Sequence, residues 1–184
     1  MFIDRDGTLN EEREFLTDPG DLRLIDGAGP AVRVLNRAGI TTCVISNQSG
    51  VARGYLTEET LGRIHDRLVR ELEAEGARID GIYYCPHHPD AGAAPYRKNC
   101  DCRKPKPGML LQAAGDFGLD LGRSFVVGDK LDDIRAGQAV SARTILVLTG
   151  YGSQSNTEAA RHGVTADHVA PSIREAVDYI IQSC

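Results

Sequence analysis

The sequence predicts an α/β fold, a Rossmann-like doubly wound parallel sheet. Three observations carry this. Short apolar, β-rich runs alternate with helical segments along the whole chain. A polar or glycine cluster cuts off each run at once, as βα units require. A chain of 184 residues, 41% hydrophobic and 26% charged, buries a real core without disulfide staples. The expectation is one domain over residues 1–184.

The elements follow in order. Phe2 and Ile3 end a short first strand, which Asp4-Arg5-Asp6-Gly7 stops; the chain begins only three residues before Asp4. Residues 28–38 predict a helix, with Pro30 in its first turn and Gly39 as its stop. Residues 40–45 are a β-rich strand, followed by Ser46-Asn47-Gln48-Ser49-Gly50. Thr57 suits an N-cap. Leu61, Ile64, Leu68 and Leu72 then form an apolar stripe at helical spacing, which Gly76 closes. Residues 79–84 read as the third strand. Residues 85–107 break the rhythm with five of the eight prolines, three cysteines and two histidines. A helix over 107–117 follows, ended by Gly118. Residues 124–127 form a buried strand stopped by Gly128-Asp129. Then come a helix over 131–139, a strand over 144–148, a helix, a short strand near His168-Val169 and an amphipathic helix to the end. There is no internal repeat and no flexible linker.

Alternating strands and helices imply helices on both faces of a parallel sheet. Ligands then bind beyond the carboxyl ends of the strands. Composition narrows the partners. A net charge of -5 argues against a general nucleic-acid or anionic-membrane binder. No apolar run approaches the roughly 20 residues of a membrane span, and no signal-peptide pattern opens the chain. Five cysteines without a secretion signal suggest a reducing compartment, so the cytoplasm is expected. Cys43 reads as a buried small hydrophobe, and Cys184, the last residue, carries no message.

Four clusters could carry chemistry. Asp4 and Asp6 are two apart at a strand end, so both carboxylates can face one pocket. Close carboxylates need a cation or a shared proton, and Mg²⁺ with oxygen ligands would serve. The pair also fits an acid-rich turn. Ser46-Asn47 could hold phosphoryl oxygens, or be a plain turn. Arg103-Lys104-Pro105-Lys106-Pro107 puts cations before a helix start that favours anions, or is a solvated charge run. Asp129 would reach the face of Asp4 if their strands are neighbours. Asp133 would add a third carboxylate, while Asp132 faces solvent.

Together these clusters resemble the four motifs of the haloacid dehalogenase (HAD) superfamily of phosphohydrolases. Asp4-Arg5-Asp6-Gly7-Thr8 matches the first, Ser46 the second, Lys104 the third, and Gly128-Asp129 with Asp133 the fourth. The runs 2–8, 46–54, 81–89, 100–105 and 128–130 further resemble the D-glycero-D-manno-heptose-1,7-bisphosphate 7-phosphatases, which act in making the heptose of bacterial lipopolysaccharide or S-layer glycans. Histidinol-phosphate phosphatases share most of these motifs and give the alternative substrate.

The resemblance implies roles. Asp4 would be the nucleophile and Asp6 the proton donor and later base. Ser46 and Lys104 would stabilise the phosphoryl group. Asn47, Gln48, Ser49, Arg103 and Lys130 would complete the substrate pocket. Mg²⁺ would be held by the Asp4 carboxylate, the Asp6 backbone carbonyl and Asp129. The chain departs from the family at Glu12-Arg13-Glu14-Phe15, where relatives often carry an aspartate, histidine, glycine and tyrosine that contact the sugar. No large insert separates the strands, so the expected cap is minimal, made of loops.

Cys85-x-His87 and Cys100-x-Cys102 match a closed tetrahedral Zn²⁺ site, which would hold a proline-rich loop at about 85–104. Free or redox-active cysteines are the other reading, and His88 is the rival ligand. The resemblance implies structural zinc on Cys85, His87, Cys100 and Cys102. His65 reads as a surface or core-edge residue, and nothing pairs His162 or His168 with a carboxylate or thiol.

The expected activity is therefore removal of one phosphate from a small phosphorylated sugar, with Mg²⁺ and structural Zn²⁺ as cofactors. A zinc-stabilised binding module without activity is disfavoured, since it needs no set of Asp4, Asp6, Ser46, Lys104 and Asp129. Arg103, Lys104 and Lys130 read as more positive charge than one phosphate and its Mg²⁺ require, which suits a bisphosphate. Neither nucleic acid nor membrane is an expected partner, and a monomer is expected, because no apolar surface stripe is left over.

Overall fold

The computed structural model describes residues 1–183; Cys184 lies outside them. Its centre is a six-stranded, all-parallel sheet in the order β3-β2-β1-β4-β5-β6. The strands are β1 (Phe2–Ile3), β2 (Cys43–Asn47), β3 (Gly81–Cys85), β4 (Phe125–Gly128), β5 (Arg143–Val147) and β6 (His168–Ala170). The helices are α1 (Ala28–Arg37), α2 (Glu58–Ala74), α3 (Gly108–Phe117), α4 (Leu131–Gln138), α5 (Gly152–Ala159) and α6 (Ile173–Gln182). The doubly wound parallel sheet expected from the sequence is the one observed.

Two-residue alternation sorts the strands between two cores. Ile3, Val44 and Val127 point to one face, packed under Leu35 of α1, Leu68 of α2 and Val177 of α6. Phe2, Cys43, Ile45 and Val126 point to the other, against Met109 and Leu110 of α3 and Ala136 of α4. The register pairs Phe2 with both Cys43 and Val126, so these side chains stack in one row. Cys43 is fully buried, as a small hydrophobe should be.

The local signals act as expected at most ends. The Thr57 side chain accepts the N–H of Thr60 at 3.1 Å and caps α2. Gly118 ends α3 in the left-handed region at φ 65°. One boundary moves. β2 runs to Asn47 rather than stopping at Ile45, because β3 offers a partner as far as Cys85, and Asn47 pairs with it. Ser46 and Asn47 are thus the last strand residues, not the first of a loop.

Sequence order reverses around β1: β2 lies on one side and β4 on the other. Their carboxyl ends converge where a doubly wound sheet opens a crevice. Two loops frame its mouth, one after β1 with its tip near 12–15, the other the irregular segment 86–107. Among the described residues no helix or sheet insert stands over the crevice, so the cap is minimal.

Candidate active site

A pocket of about 270 Å³ opens at this crevice, lined by Asp4, Asp6, Ser46, Asn47, Gln48, Ser49, Arg103, Lys104 and Lys130 among others. All nine residues expected for catalysis or substrate contact therefore meet in one place. Asp129 lies beneath them, fully buried.

Asp4 leaves β1 with its N–H bonded to the Val127 carbonyl at 2.8 Å, which fixes the backbone beside β4. Its Oδ1 accepts the Lys104 Nζ at 2.7 Å. Lys104, 3% exposed, also donates to the Ile45 carbonyl at 2.8 Å and pairs with Asp133. One buried ammonium thus sits between two buried carboxylates. Burial alone would drive the Lys104 pKa down, but Asp133 and Asp4 outweigh it and raise it, so the lysine stays charged. Burial pushes Asp4 up to about 6, with Lys104 pulling down and Asp133 pushing up.

Asp4, Asp129 and Asp133 each bring one carboxylate oxygen within 4.8 Å of the others. Asp129 Oδ2 accepts the Tyr151 N–H at 2.8 Å, while its Oδ1 is buried without a hydrogen-bond partner. Burial, then repulsion from Asp4 and Asp133, pushes the Asp129 carboxyl up to about 8. Three hard oxygen donors, one of them orphaned, fit a divalent cation such as Mg²⁺. Gly7 is needed for this packing, because a Cβ there would stand 2.2 Å from Asp129 Oδ2, and its φ is +81°. Asp133, at the third position of α4, also accepts the Lys130 N–H at 3.0 Å.

Asp6 faces a different set of partners. Its carboxylate takes two bonds from Arg5 Nη2 (2.8 and 3.0 Å), one from Asn10 Nδ2 (3.0 Å) and one from Gln48 Nε2 (2.8 Å). Burial would raise its pKa, but the Arg5 charge and these donors hold it below the usual carboxylate range. Gln48 Nε2 also donates to Ser46 Oγ at 2.7 Å, tying the acid to that hydroxyl. Asn47 clamps the Lys104 backbone, accepting its N–H at 3.1 Å and donating to its carbonyl at 3.0 Å. That amide therefore positions Lys104 as well as lining the pocket.

The expected surplus of positive charge is cut to Arg103, which among the described residues has no carboxylate partner, and this corrects the sequence argument for the two lysines. Lys104 is matched by Asp4 and Asp133, and Lys130 is bound to Glu12 at 2.8 Å while standing 4.7 Å from the Tyr151 ring centre. Glu14 and Asp132 also line the pocket, so Asp132 faces its mouth and not only bulk solvent. Counter-ions come from loops distant in sequence, which composition does not register. Arg5, Asn10 and Glu12 are the site residues that sequence reasoning passed over. Arg5 stood between two aspartates, and its full burial is the signal that only the structure supplies.

The altered loop has its own geometry. Glu14 adopts φ 54°, a left-handed conformation that favours glycine. Phe15 packs edge-on to Tyr55 with ring centres 4.8 Å apart. His65 is buried at the core edge, 5.4 Å from the Tyr84 ring; burial first, then the Arg5 charge, depresses its pKa to about 3. His168 stacks on Tyr179 at 3.9 Å.

Beside the pocket, Cys85, His87, Cys100 and Cys102 bring their ligand atoms within 4.8 Å of one another. The sulfurs are 3.2–3.4 Å apart, too far for disulfides, and His87 Nδ1 is 3.3 Å from Cys102 Sγ. His88, the rival, turns away to Asp90 and Ala91.

Comparison with known proteins agrees with this geometry. The HAD-hydrolase-like family matches residues 101–176. The D-glycero-beta-D-manno-heptose-1,7-bisphosphate 7-phosphatase of Photorhabdus laumondii is 43% identical over 159 residues, covering 86% of this chain and 84% of its own. The Vibrio cholerae enzyme of the same name is 38% identical over 99% of this chain and 96% of its own. The chain belongs to the heptose-1,7-bisphosphate 7-phosphatase family. A solved member of this HAD family, the D,D-heptose 1,7-bisphosphate phosphatase of B. bronchiseptica complexed with magnesium and phosphate, superposes with a TM-score of 0.89 at 32% identity, covering 100% of this chain and 98% of that one. The two-sided strand order is what sets Asp4 of β1 beside Asp129 after β4.

Proposed function

We propose that this protein is a Mg²⁺-dependent phosphatase that removes the C7 phosphate of D-glycero-β-D-manno-heptose 1,7-bisphosphate. The observation that supports it most is the buried quartet of Asp4, Lys104, Asp129 and Asp133 at the switch point of a family member's sheet. The substrate, with its β configuration, comes from the relatives' names.

The residues divide the reaction. Asp4 Oδ attacks phosphorus, forming an aspartyl phosphate as the bond to the sugar oxygen breaks. The Lys104 contact keeps that carboxylate ionised despite its burial. Lys104 and Ser46 Oγ stabilise the phosphoryl oxygens during transfer. Asp6 gives its proton to the departing sugar oxygen, then takes one from the water that hydrolyses the intermediate. The donor set of Arg5, Asn10 and Gln48 favours the ionised form, which suits that second half and works against the first, so the first step runs from the protonated minority of Asp6. Asp4, Asp129 and the Asp6 backbone carbonyl would hold Mg²⁺, which would supply charge neutralisation for the phosphoryl group. Ser49, Gln48, Asn47, Arg103 and Lys130 border the sugar.

The Cys/His cluster is read as structural zinc. Four soft ligands close a tetrahedron and leave no open position for chemistry. Arg103 and Lys104 follow Cys102 directly, so the metal would fix the strap that carries them. The protein is read as a cytoplasmic monomer acting on a small sugar; no helix among the described residues is long and apolar enough to cross a membrane.

A phosphate-release screen over both heptose bisphosphate anomers, fructose bisphosphate and histidinol phosphate tests this reading. The β-heptose bisphosphate should give the highest kcat/KM. A higher value for histidinol phosphate would overturn the assignment.

A further inference from the structure

The loops after β1, β2 and β4 build the site, with the segment before α3. A fourth strand end also reaches it. β4 separates β5 from β1. Yet the turn after β5, Thr149-Gly150-Tyr151, passes Asp129 and closes on the β1 loop. Thr149 Oγ1 donates to the Gly7 carbonyl at 2.6 Å, a contact across 142 residues of chain. The Thr149 carbonyl accepts the Gly152 N–H at 2.8 Å, which keeps the turn tight. Tyr151 gives its N–H to Asp129 Oδ2 at 2.8 Å, and its ring stands 4.7 Å from the Lys130 ammonium.

Two glycines close this contact, both in the left-handed region, with φ +55° at Gly150 and +81° at Gly7. A Cβ on Gly150 would collide with Asp129 Oδ2 and stand 2.6 Å from the Gly7 Cα. A Cβ on Gly7 would collide with the same oxygen and stand 3.1 Å from the Gly150 Cα. Gly150 is otherwise exposed, so core packing makes no demand on it. The Asp129 carboxylate therefore lies between two bare stretches of backbone. Its Oδ2 is held by the Tyr151 N–H, and its buried Oδ1 is left without a partner. That second oxygen is the one free for a cation.

We infer that Thr149, Gly150 and Tyr151 are positioning residues for the divalent cation, acting through its ligands. The inference rests on the Mg²⁺ reading above. Tyr151 orients Asp129. Thr149 holds the carbonyl of Gly7, the residue directly after Asp6, and so fixes the turn that presents the Asp6 carbonyl. Gly150 lets the two come together. The turn after β5 thus sets the separation between ligands from two different strand ends. Outer contacts of this kind are typically worth about 10–100-fold in metal affinity.

The test uses the full chain dialysed free of Mg²⁺, with Mg²⁺ binding measured by titration calorimetry in the absence of substrate. Thr149→Val keeps the size of the side chain and removes the hydroxyl. It should weaken Mg²⁺ binding by about tenfold, while KM for the sugar phosphate at saturating Mg²⁺ stays within about twofold of wild type. Thr149→Ser, which returns the hydroxyl, should recover most of the lost affinity. Gly150→Ala should weaken Mg²⁺ binding by about tenfold or more; if that variant does not fold, the Thr149 pair decides alone. Mg²⁺ affinity within twofold of wild type in Thr149→Val would overturn the inference, whatever happens to the melting temperature. So would a Thr149→Ser that binds Mg²⁺ no better than Thr149→Val. In either case Mg²⁺ binding by wild type leaves the Mg²⁺ reading standing. Wild type that binds no Mg²⁺ would sink both.

Discussion

The molecule has two clusters that suit a metal, and they are built on opposite principles. The carboxylate cluster sits at the ends of β1 and β4 and at the start of α4, inside the core, with Lys104 as its own counter-ion. The thiol–imidazole cluster sits partly in the loop 86–107, where Cys100, Cys102 and His87 are half-buried. The first is held by a sheet that would form without any ion. The second lies in a segment rich in proline whose described residues make one isolated bridge, between His88 and Arg97. A fold can therefore keep charge repulsion in its core for chemistry, while on the zinc reading a metal would shape a loop that has little regular structure of its own.

The sharpest way to break this comparison is Asp4→Asn. Turnover should fall by about 10⁴-fold or more, because the amide keeps shape without the nucleophile. The melting temperature should hold or rise by up to about 4 °C, since repulsion with Asp129 and Asp133 is relieved and Lys104 keeps Asp133. Calorimetry showing a large loss would mean that the carboxylate cluster is structural after all.

Cys102→Ser should behave in the opposite sense. One equivalent of zinc per chain is expected in wild type and its loss in the variant, by metal analysis. Activity should drop by about 10²-fold, because Arg103 and Lys104 follow Cys102 and small misplacements are costly. Unchanged kcat/KM in zinc-free variant protein would separate the loop from the site.

The pH dependence of Mg²⁺ activation sharpens the first cluster. Asp129 is raised to about 8 and Asp4 to about 6, each above its unfolded value. The metal must displace those protons, so apparent Mg²⁺ affinity should rise by up to about tenfold per unit from pH 6 to 8, then level off. The same shift means that metal-free protein gains stability from Asp129 below this range and loses it as pH rises through about 8. Equal affinity at pH 6 and 8 would contradict the burial of Asp129.

The smallest effect concerns chelation. Removing only Mg²⁺ should move the melting temperature by about 2 °C or less. Stripping zinc should lower it by several times that, at roughly 2–4 °C per kcal/mol for a chain of this size. Equal shifts would erase the distinction between the clusters.

The sequence by itself determined what depends on neighbours in the chain. Alternating apolar runs set the strands, Thr57 and Gly118 set helix ends, and the family resemblance marked Cys85, His87, Cys100 and Cys102 as a candidate metal loop. Asp4, Ser46, Lys104 and Asp129 were legible because each stands at a strand end or before a helix, where such sheets bind ligands. What only the tertiary structure decided is which of these groups touch. Lys104 reaches Asp4 across 100 residues, Lys130 reaches Glu12 across 118, and Asn47 grips the Lys104 backbone across 57. These contacts follow from crossovers that place β2 and β4 on either side of β1, and no local pattern encodes that order. The charge of a site is set by such distant pairings and by burial. A count of basic residues along the chain therefore overstated the cations free to meet a substrate.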